Sequence, residues 1–274
     1  MDTGGLALPE DVYTHGHAEP VLRAHRWRTA ENSAAYLLPH LRPEARILDV
    51  GCGPGTITCD LAGQVPHGHV TGVDRAESVV DDARAHAVSA GVANVSFEAG
   101  DVYALEHADG GFDVVHAHQL LQHLTDPVAA LREMRRVCRP GGLVAARDAD
   151  YAAFAWWPRI AGLDEWLGLY RTVARRNGGE PDAGRRMRAW SRAVGFGEVI
   201  SSASVWCFAT PEDRAWWGGL WAERVSASQL ADQARSMGLA TDSDLARMAE
   251  AWRTWAAAPD GWFGVLHGEI LCRV

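Results

Sequence analysis

The sequence is poor in the features that mark secreted, membrane-spanning and nucleic-acid-binding proteins. Its five cysteines are scattered, odd in number and without a C-x-x-C pair, which argues against a disulfide framework or a structural zinc site. No apolar run approaches the roughly 18–20 residues that span a bilayer, and residues 1–10 do not form a secretory signal. The formal net charge of −9 is wrong for binding phosphate backbones. We therefore expect a cytoplasmic protein with no stable membrane insertion and no nucleic acid partner.

Metal-binding motifs are also missing. Histidines occur two residues apart in His15-Gly-His17 and His116-Ala-His118, but no HExxH pattern is present. We expect no bound metal.

Short apolar strands alternate with helical patterns in the first half of the chain. Strand patterns begin near Arg46, His69, Asn94, Phe112 and Leu143, and helical stretches separate several of them. Alternation of this kind predicts βαβ units with right-handed crossovers, and hence a parallel sheet of the α/β class.

Tryptophan is nearly absent from this half, because only Trp27 of the twelve precedes residue 150. Residues 198–208 and 262–274 read as two further strands, and 211–258 reads as mostly helical. We expect these two strands to pair and the helices between them to form a tryptophan-rich cap over one end of the sheet.

A glycine-rich turn follows the first strand and precedes a helix, in the run Asp49-Val-Gly-Cys-Gly-Pro-Gly-Thr56. Glycines allow a tight turn and a close approach of the backbone to a ligand. The motif alone suits NAD, FAD or S-adenosylmethionine. Its G-x-G-x-G spacing departs from the G-x-G-x-x-G of dinucleotide sites. Asp49 would oppose a pyrophosphate, but it suits the ammonium group of an amino-acid moiety.

Acids recur at the ends of the next two strands. Asp74 can accept hydrogen bonds from two ribose hydroxyls, as it would also in an NAD site. Asp101 can accept from an adenine amino group, and the Val102 backbone N–H can donate to the ring. Together with Asp49 they describe a site for a ribose, an adenine and an ammonium group.

These motifs resemble those of class I S-adenosylmethionine-dependent methyltransferases. Residues 112–124 and the Arg139-Pro-Gly-Gly turn are similar to the ubiquinone/menaquinone-methyltransferase-like (type 11) subgroup, and the resemblance covers roughly residues 40–150. It implies a Rossmann-like, seven-stranded, mostly parallel sheet with an antiparallel last hairpin. The motif of adenine and glutamine N-methyltransferases is absent, which disfavours methylation of nucleic acid bases.

The resemblance divides the chain into three parts. Residues 1–41 form an N-terminal helical segment over the cofactor, 42–150 form the cofactor-binding core, and 151–274 complete the sheet and carry the cap of about 211–258. The candidate cofactor residues lie in the first two parts: Tyr13, Arg28, Asp49, Gly51, Gly53, Gly55, Thr56, Asp74, Arg75, Asp101, Val102 and Ala117. Tyr13 or Arg28 would meet the cofactor carboxylate.

Acceptor residues are expected beyond the carboxyl ends of the strands, where ligands bind in open α/β sheets. Candidates for accepting a proton are His118, Asp148 and His17. The candidates for substrate contact follow strand ends or lie in the tryptophan-rich half: Gln119, Tyr151, Trp166, Trp217, Trp221 and His267.

Four functions remain open at this stage. The first is methyl transfer by in-line displacement to a small molecule of specialised metabolism, which the tryptophans and acidic charge favour as a neutral or cationic aromatic compound, for example of indole type. The others are a quinone-ring C-methyltransferase, a cofactor-binding protein without transferase activity, and an NAD oxidoreductase. A homodimer is compatible with each of them.

Overall fold

The computed structural model describes Asp11, Thr14 and residues 19–274. Its eight strands are β1 (Arg46–Val50), β2 (His69–Asp74), β3 (Val95–Ala99), β4 (Phe112–His118), β5 (Cys138–Ala149), β6 (Ala155–Trp157), β7 (Glu198–Phe208) and β8 (Trp262–Arg273). The helices are α1 (Glu19–Arg26), α2 (Ala30–Ser33), α3 (Thr56–Gln64), α4 (Glu77–Ala90), α5 (Pro127–Val137), α6 (Ala161–Arg176), α7 (Met187–Val194), α8 (Pro211–Ala227), α9 (Gln229–Ser236) and α10 (Asp242–Ala257).

The strands form one mixed sheet in the order β3-β2-β1-β4-β5-β8-β6, with β7 on β8. β1 to β5 pair in parallel, and β8 runs antiparallel to β5, β6 and β7. The α/β fold with an antiparallel end is therefore confirmed. The expected count of seven strands was one too low, because β6 has three residues and lacks a recognisable alternation.

Local signals in the sequence set several of the helix ends. α4 ends where Gly91 adopts φ +67°, a left-handed conformation that glycine tolerates. Asp126 caps the N-terminus of α5, because its side chain accepts a hydrogen bond from the Ala129 N–H. Thr210 and Thr241 cap the N-termini of α8 and α10. Each threonine exchanges hydrogen bonds with the aspartate three residues later, which is the capping-box arrangement.

The helical cap lies between β7 and β8 in the sequence, as predicted. α8 and α10 pack on each other and α6 packs on α10. Their shared core is aromatic, and its fully buried members include Trp166, Trp221, Trp252, Trp255 and Phe263. Among the described residues, no helix combines the length and apolar character needed to cross a bilayer.

Candidate cofactor and acceptor site

A cavity of about 480 Å³ opens beyond the carboxyl ends of the parallel strands. The glycine turn after β1 forms its floor, and Asp74 and Asp101 approach it from the ends of β2 and β3. His118 and Gln119 border it from the end of β4, and His25 and Arg28 from the N-terminal helices. The parallel topology has thus gathered residues that are far apart in the sequence.

Two of the three glycines of the turn have different surroundings. Gly51, Gly53 and Gly55 all have positive φ, at +71°, +55° and +78°. A Cβ on Gly53 would have no neighbour closer than 4.0 Å, so this backbone faces open space in the cavity. A Cβ on Gly55 would lie 2.9 Å from Ala83 and from the Phe97 ring, and Gly55 does not border the cavity. Gly55 therefore permits the start of α3 to pack closely against α4 and β3, which is a structural role.

Asp74 is tied to the same turn. Its carboxylate accepts hydrogen bonds from the Gly53 N–H at 3.0 Å and from the Ala76 N–H at 3.2 Å. Asp101 is exposed at the cavity and accepts from the Tyr103 N–H at 2.9 Å. Both acids therefore border one cavity, and their contacts with a ribose and an adenine stay predictions.

Asp49 is buried and already has two partners. The Thr58 hydroxyl donates to one oxygen at 2.6 Å, and His116 Nδ1 lies 2.8 Å from the other. Asp49 also borders the cavity, so its negative charge acts there. The sequence did not single out His116 as a partner, because the contact forms only when β1 and β4 pair with Asp49 opposite His116.

A chain of hydrogen bonds crosses the upper end of the cavity. Arg28 Nη2 donates to Gln119 Oε1 at 2.7 Å, and Gln119 Nε2 lies 2.7 Å from His267 Nε2. His267 Nδ1 lies 3.0 Å from the carbonyl of Val265, which can only accept, so Nδ1 carries the proton and Nε2 accepts from the amide. Burial, followed by Arg147 and Arg28, lowers the His267 pKa well below its usual value, consistent with this neutral tautomer.

The two described candidates for proton acceptor differ in accessibility. His118 borders the cavity, and neither ring nitrogen has a hydrogen-bond partner within the described part of the chain. Burial, and then Arg28 and Arg147, lower its pKa well below 6.5, so the ring is neutral. Asp148 borders neither this cavity nor the inner one described next. It accepts from the N–H groups of Leu121 and Gln122, both at 3.2 Å.

A second, inner cavity of about 20 Å³ adjoins the first and shares three lining residues with it: His25, Arg28 and Gln119. Its walls are mainly aromatic, from Trp27, Tyr151, Phe154, Trp206, Trp217 and Trp221. Arg224 adds a cation, with its guanidinium 5.1 Å from the Trp221 ring centroid. The wall shared by the two cavities is therefore polar, and the rest of the inner cavity is mainly aromatic.

Most described candidates border one of the cavities. Trp166 is an exception, because it packs on Trp221 and Trp252 inside the cap with centroid separations of 4.6 and 4.7 Å. Ala117 is another, since it lies in β4 and is fully buried in a core cluster. The predicted substrate residue His267 also borders neither cavity and is linked to the site by its hydrogen bond with Gln119. Tyr13 and His17 lie outside the described residues. The remaining cofactor and substrate candidates at the cavities are Thr56, Arg75, Val102, Tyr151, Trp217 and Trp221.

Comparison with known proteins identifies the family. A family model described as a methyltransferase domain matches residues 41–188, more than half of the chain. The chain belongs to the methyltransferase domain family. It is 37% identical to an uncharacterized methyltransferase of Schizosaccharomyces pombe, over 98% of this chain and 99% of that protein. It is 32% identical to a probable methyltransferase of Aspergillus luteorubrus, over 94% and 96% of the two chains.

Solved structures agree on the fold. The YcgJ protein of Bacillus subtilis superposes with a TM-score of 0.57 at 20% identity, covering 89% of this chain and 99% of that one. The prediction of an S-adenosylmethionine-dependent methyltransferase is confirmed. The residues present fit this cofactor, because the open Gly53 backbone, Asp74 and Asp101 line one continuous cavity with the buried acid Asp49.

Proposed function

We propose that this methyltransferase acts on a small aromatic or hydrophobic molecule. The observation that carries the proposal is the aromatic inner cavity, which shares the lining residues His25, Arg28 and Gln119 with the cofactor cavity. Because the inner cavity is small, the acceptor occupies the outer space beside His118 and directs only an edge or a substituent inward. Aromatic walls favour flat apolar ligands and also stabilise a nearby positive charge.

The chain contributes positioning and exclusion of water. When bound, S-adenosylmethionine supplies a methyl group activated by a positively charged sulfur. Asp74 and Asp101 hold the ribose and adenine, and Asp49 contributes negative charge at the amino-acid end. Holding the two reactants together in a largely dry cavity removes much of the entropic cost of their encounter.

His118 is the candidate proton acceptor that the geometry favours over Asp148, because its ring borders the cavity and is neutral. The same burial and arginine charges disfavour its protonated form. His118 can therefore remove a proton only from a methyl acceptor whose own proton is fairly acidic.

A quinone-ring methyltransferase is the second candidate. Relatives that match 43–53% of this chain are named ubiquinone biosynthesis O-methyltransferase, and one that matches 45% is named demethylmenaquinone methyltransferase. The small size of the inner cavity counts against a long prenyl tail in this conformation. Indole compounds remain one option among aromatic acceptors.

The experiment is transfer of a labelled methyl group from S-adenosylmethionine to a panel of phenols, aromatic acids, indoles, aromatic amines and quinones. We expect label in at least one single-ring or two-ring aromatic compound, and loss of transfer in Asp74→Ala. Transfer to aliphatic acceptors alone would contradict the aromatic assignment. Binding of cofactor with no transfer to any compound would favour the binding-only alternative.

A further inference from the structure

Arg28 lies in the wall shared by the cofactor cavity and the inner cavity. It lines both, and its guanidinium lies 5.8 Å from the Trp206 ring centroid in the inner wall. A methyl acceptor that lies in the outer cavity beside His118 and Gln119 is close to this side chain. Arg28 is therefore placed to contact the methyl acceptor. The sequence predicted a contact of Arg28 with the cofactor carboxylate only.

The neighbours of Arg28 fix its orientation. The carbonyl of Val265 orients His267, whose Nε2 accepts from the Gln119 amide nitrogen. This leaves Gln119 Oε1 facing Arg28, from which it accepts at 2.7 Å. Each of the three donors that link these residues meets an acceptor. The Gln119 amide therefore cannot flip without breaking a buried hydrogen bond.

The backbone of Gln119 is held in an unfavourable conformation. Its φ of +51° is the one positive value for a non-glycine residue in the described part of the chain. A left-handed conformation costs a glutamine about 1 kcal/mol. Its N–H donates to the Arg147 carbonyl at 2.7 Å, which anchors the turn at the end of β4. Strain of this kind persists where the surrounding structure holds a side chain in one useful position, and here that position faces Arg28.

Charge is distributed unevenly along the site. Asp49, Asp74 and Asp101 are grouped around the glycine turn, where a cationic cofactor binds, and Asp11 lines the outer cavity beside Thr125, from whose N–H it accepts a hydrogen bond. Arg28 lies in the wall shared with the inner cavity and Arg224 borders the inner cavity, which has no described acidic residue in its wall. The net charge of −9 of the whole chain therefore says little about the acceptor end.

We propose that the methyl acceptor is an aromatic acid whose anionic oxygen, a carboxylate or phenolate, is bound by Arg28, with Gln119 and His267 as positioning residues. The proposal rests on the proposed function and narrows its substrate class. It replaces the neutral or cationic acceptor that the overall acidity of the chain suggested. The lowered pKa of His118 agrees with it, because Arg28 is the largest cause of that shift after burial.

The test uses three probes of one shape: benzoate, benzamide and benzylamine. Their affinities for the full chain saturated with S-adenosylhomocysteine are measured at pH 7 by ligand-observed NMR titration. We expect benzoate to bind about tenfold more tightly than either of the others, since a charge-assisted hydrogen bond contributes about 1.5–3 kcal/mol. Equal affinities, or a preference for benzylamine, would overturn the proposal.

Three variants assign the preference to residues. Arg28→Met should abolish it while leaving the affinity for S-adenosylhomocysteine within about twofold. Arg26→Met, an exposed arginine that borders neither cavity, should retain it. Gln119→Glu places a carboxylate beside Arg28 and should reverse the order of benzoate and benzylamine. If all three probes weaken together in Gln119→Glu, the residue is merely structural and its positioning role is wrong.

Two failures can be told apart. If Arg28→Met weakens S-adenosylhomocysteine and benzoate alike, Arg28 binds the cofactor carboxylate and the acid proposal falls, although the methyltransferase assignment stands. If the wild-type chain transfers labelled methyl groups to aliphatic compounds only, the proposed aromatic function itself is wrong whichever probe binds.

Discussion

Asp74 has two functions at one position. Its carboxylate accepts hydrogen bonds from the backbone N–H groups of Gly53 and Ala76 and so stabilises the glycine turn, and the residue also borders the cavity. The carboxylate therefore shapes the floor of the site and supplies hydrogen-bond acceptors to it. Replacing it affects both the ligand contact and the turn that forms the rest of the floor.

We expect Asp74→Ala to weaken binding of S-adenosylmethionine by about 10- to 100-fold, because hydrogen bonds to a charged acceptor contribute about 1.5–3 kcal/mol. Isothermal titration calorimetry measures the change. Asp82→Ala on α4, an exposed acid outside the cavity, should bind like the wild type. Equal affinities in the two variants would remove Asp74 from the cofactor site.

Asp148 illustrates why a residue type at a strand end does not define a role. Its position after β5 favoured a catalytic base, but the side chain faces the amides of Leu121 and Gln122 inside the protein. Burial raises its pKa to about 7, although those two amides lower it. Sequence reasoning had no means of detecting the turn at residues 121–123 that the carboxylate supports.

At the scale of elements, the cap has its own aromatic core. Trp252 lies fully buried between the Trp221 and Phe263 rings, with centroid separations of 5.8 and 5.2 Å. Residues that flank the glycine turn and the acids of the cofactor site belong to other clusters of the protein core: Val50, Cys52, Val73 and Val102. Loss of packing in the cap should therefore lower stability without removing the cofactor contacts.

We expect Trp252→Ala to lower the free energy of unfolding by about 3–5 kcal/mol, since it leaves a cavity the size of an indole ring. Urea denaturation measures it. Trp262→Ala is the matched control, because Trp262 is 40% exposed, and it should cost at most about 1 kcal/mol. Similar losses in both variants would contradict the assignment of Trp252 to the core.

The site residues of the first half could be predicted from the sequence, because each lies at the end of a strand or within a few positions of it. β2 ends at Asp74, and Asp101 follows β3, so a local pattern was enough. β7 and β8 were predicted within one residue of their observed bounds. The three-residue β6 was missed, and the described part of the N-terminal segment 1–41, which was predicted to be helical, contains two short α-helices separated by a turn before Thr29.

At the scale of the whole molecule, the acceptor end could not be predicted, because it is assembled from distant segments. Trp27 comes from the N-terminal region, Trp206 from β7 and Arg224 from α8, and they meet only in the folded chain. The amide network of Gln119 joins residues 28, 119 and 267. No local spacing links these positions. The homodimer considered from the sequence stays a prediction.

Stability should depend on pH through buried groups. His118, His123 and His267 are neutral in the folded protein at pH values where the unfolded chain protonates them, so their contribution is lost as pH falls below about 6.5. Asp148 acts in the opposite sense: the folded protein keeps its proton up to about pH 7, so its contribution is lost progressively as pH rises from about 4 to about 7. Between pH 6 and 5 the three histidines outweigh the single acid.

We expect the wild-type free energy of unfolding to fall by about 2 kcal/mol from pH 6 to pH 5. Asp148→Asn removes the opposing contribution and should steepen the fall to about 4 kcal/mol per pH unit. His267→Gln removes one of the three histidines and should reduce the fall to about 1 kcal/mol. Urea denaturation across this range gives the slopes, and identical slopes in the three proteins would refute the account.

The unequal distribution of tryptophan has a spectroscopic consequence. Because Trp27 alone precedes residue 150, intrinsic fluorescence observes the second half of the chain and is nearly blind to the glycine turn and β1 to β4. Far-ultraviolet circular dichroism observes both halves. Comparing the two melting curves therefore asks whether the halves unfold as one cooperative unit. If S-adenosylhomocysteine moves both curves equally, the cofactor half and the tryptophan half are thermodynamically coupled.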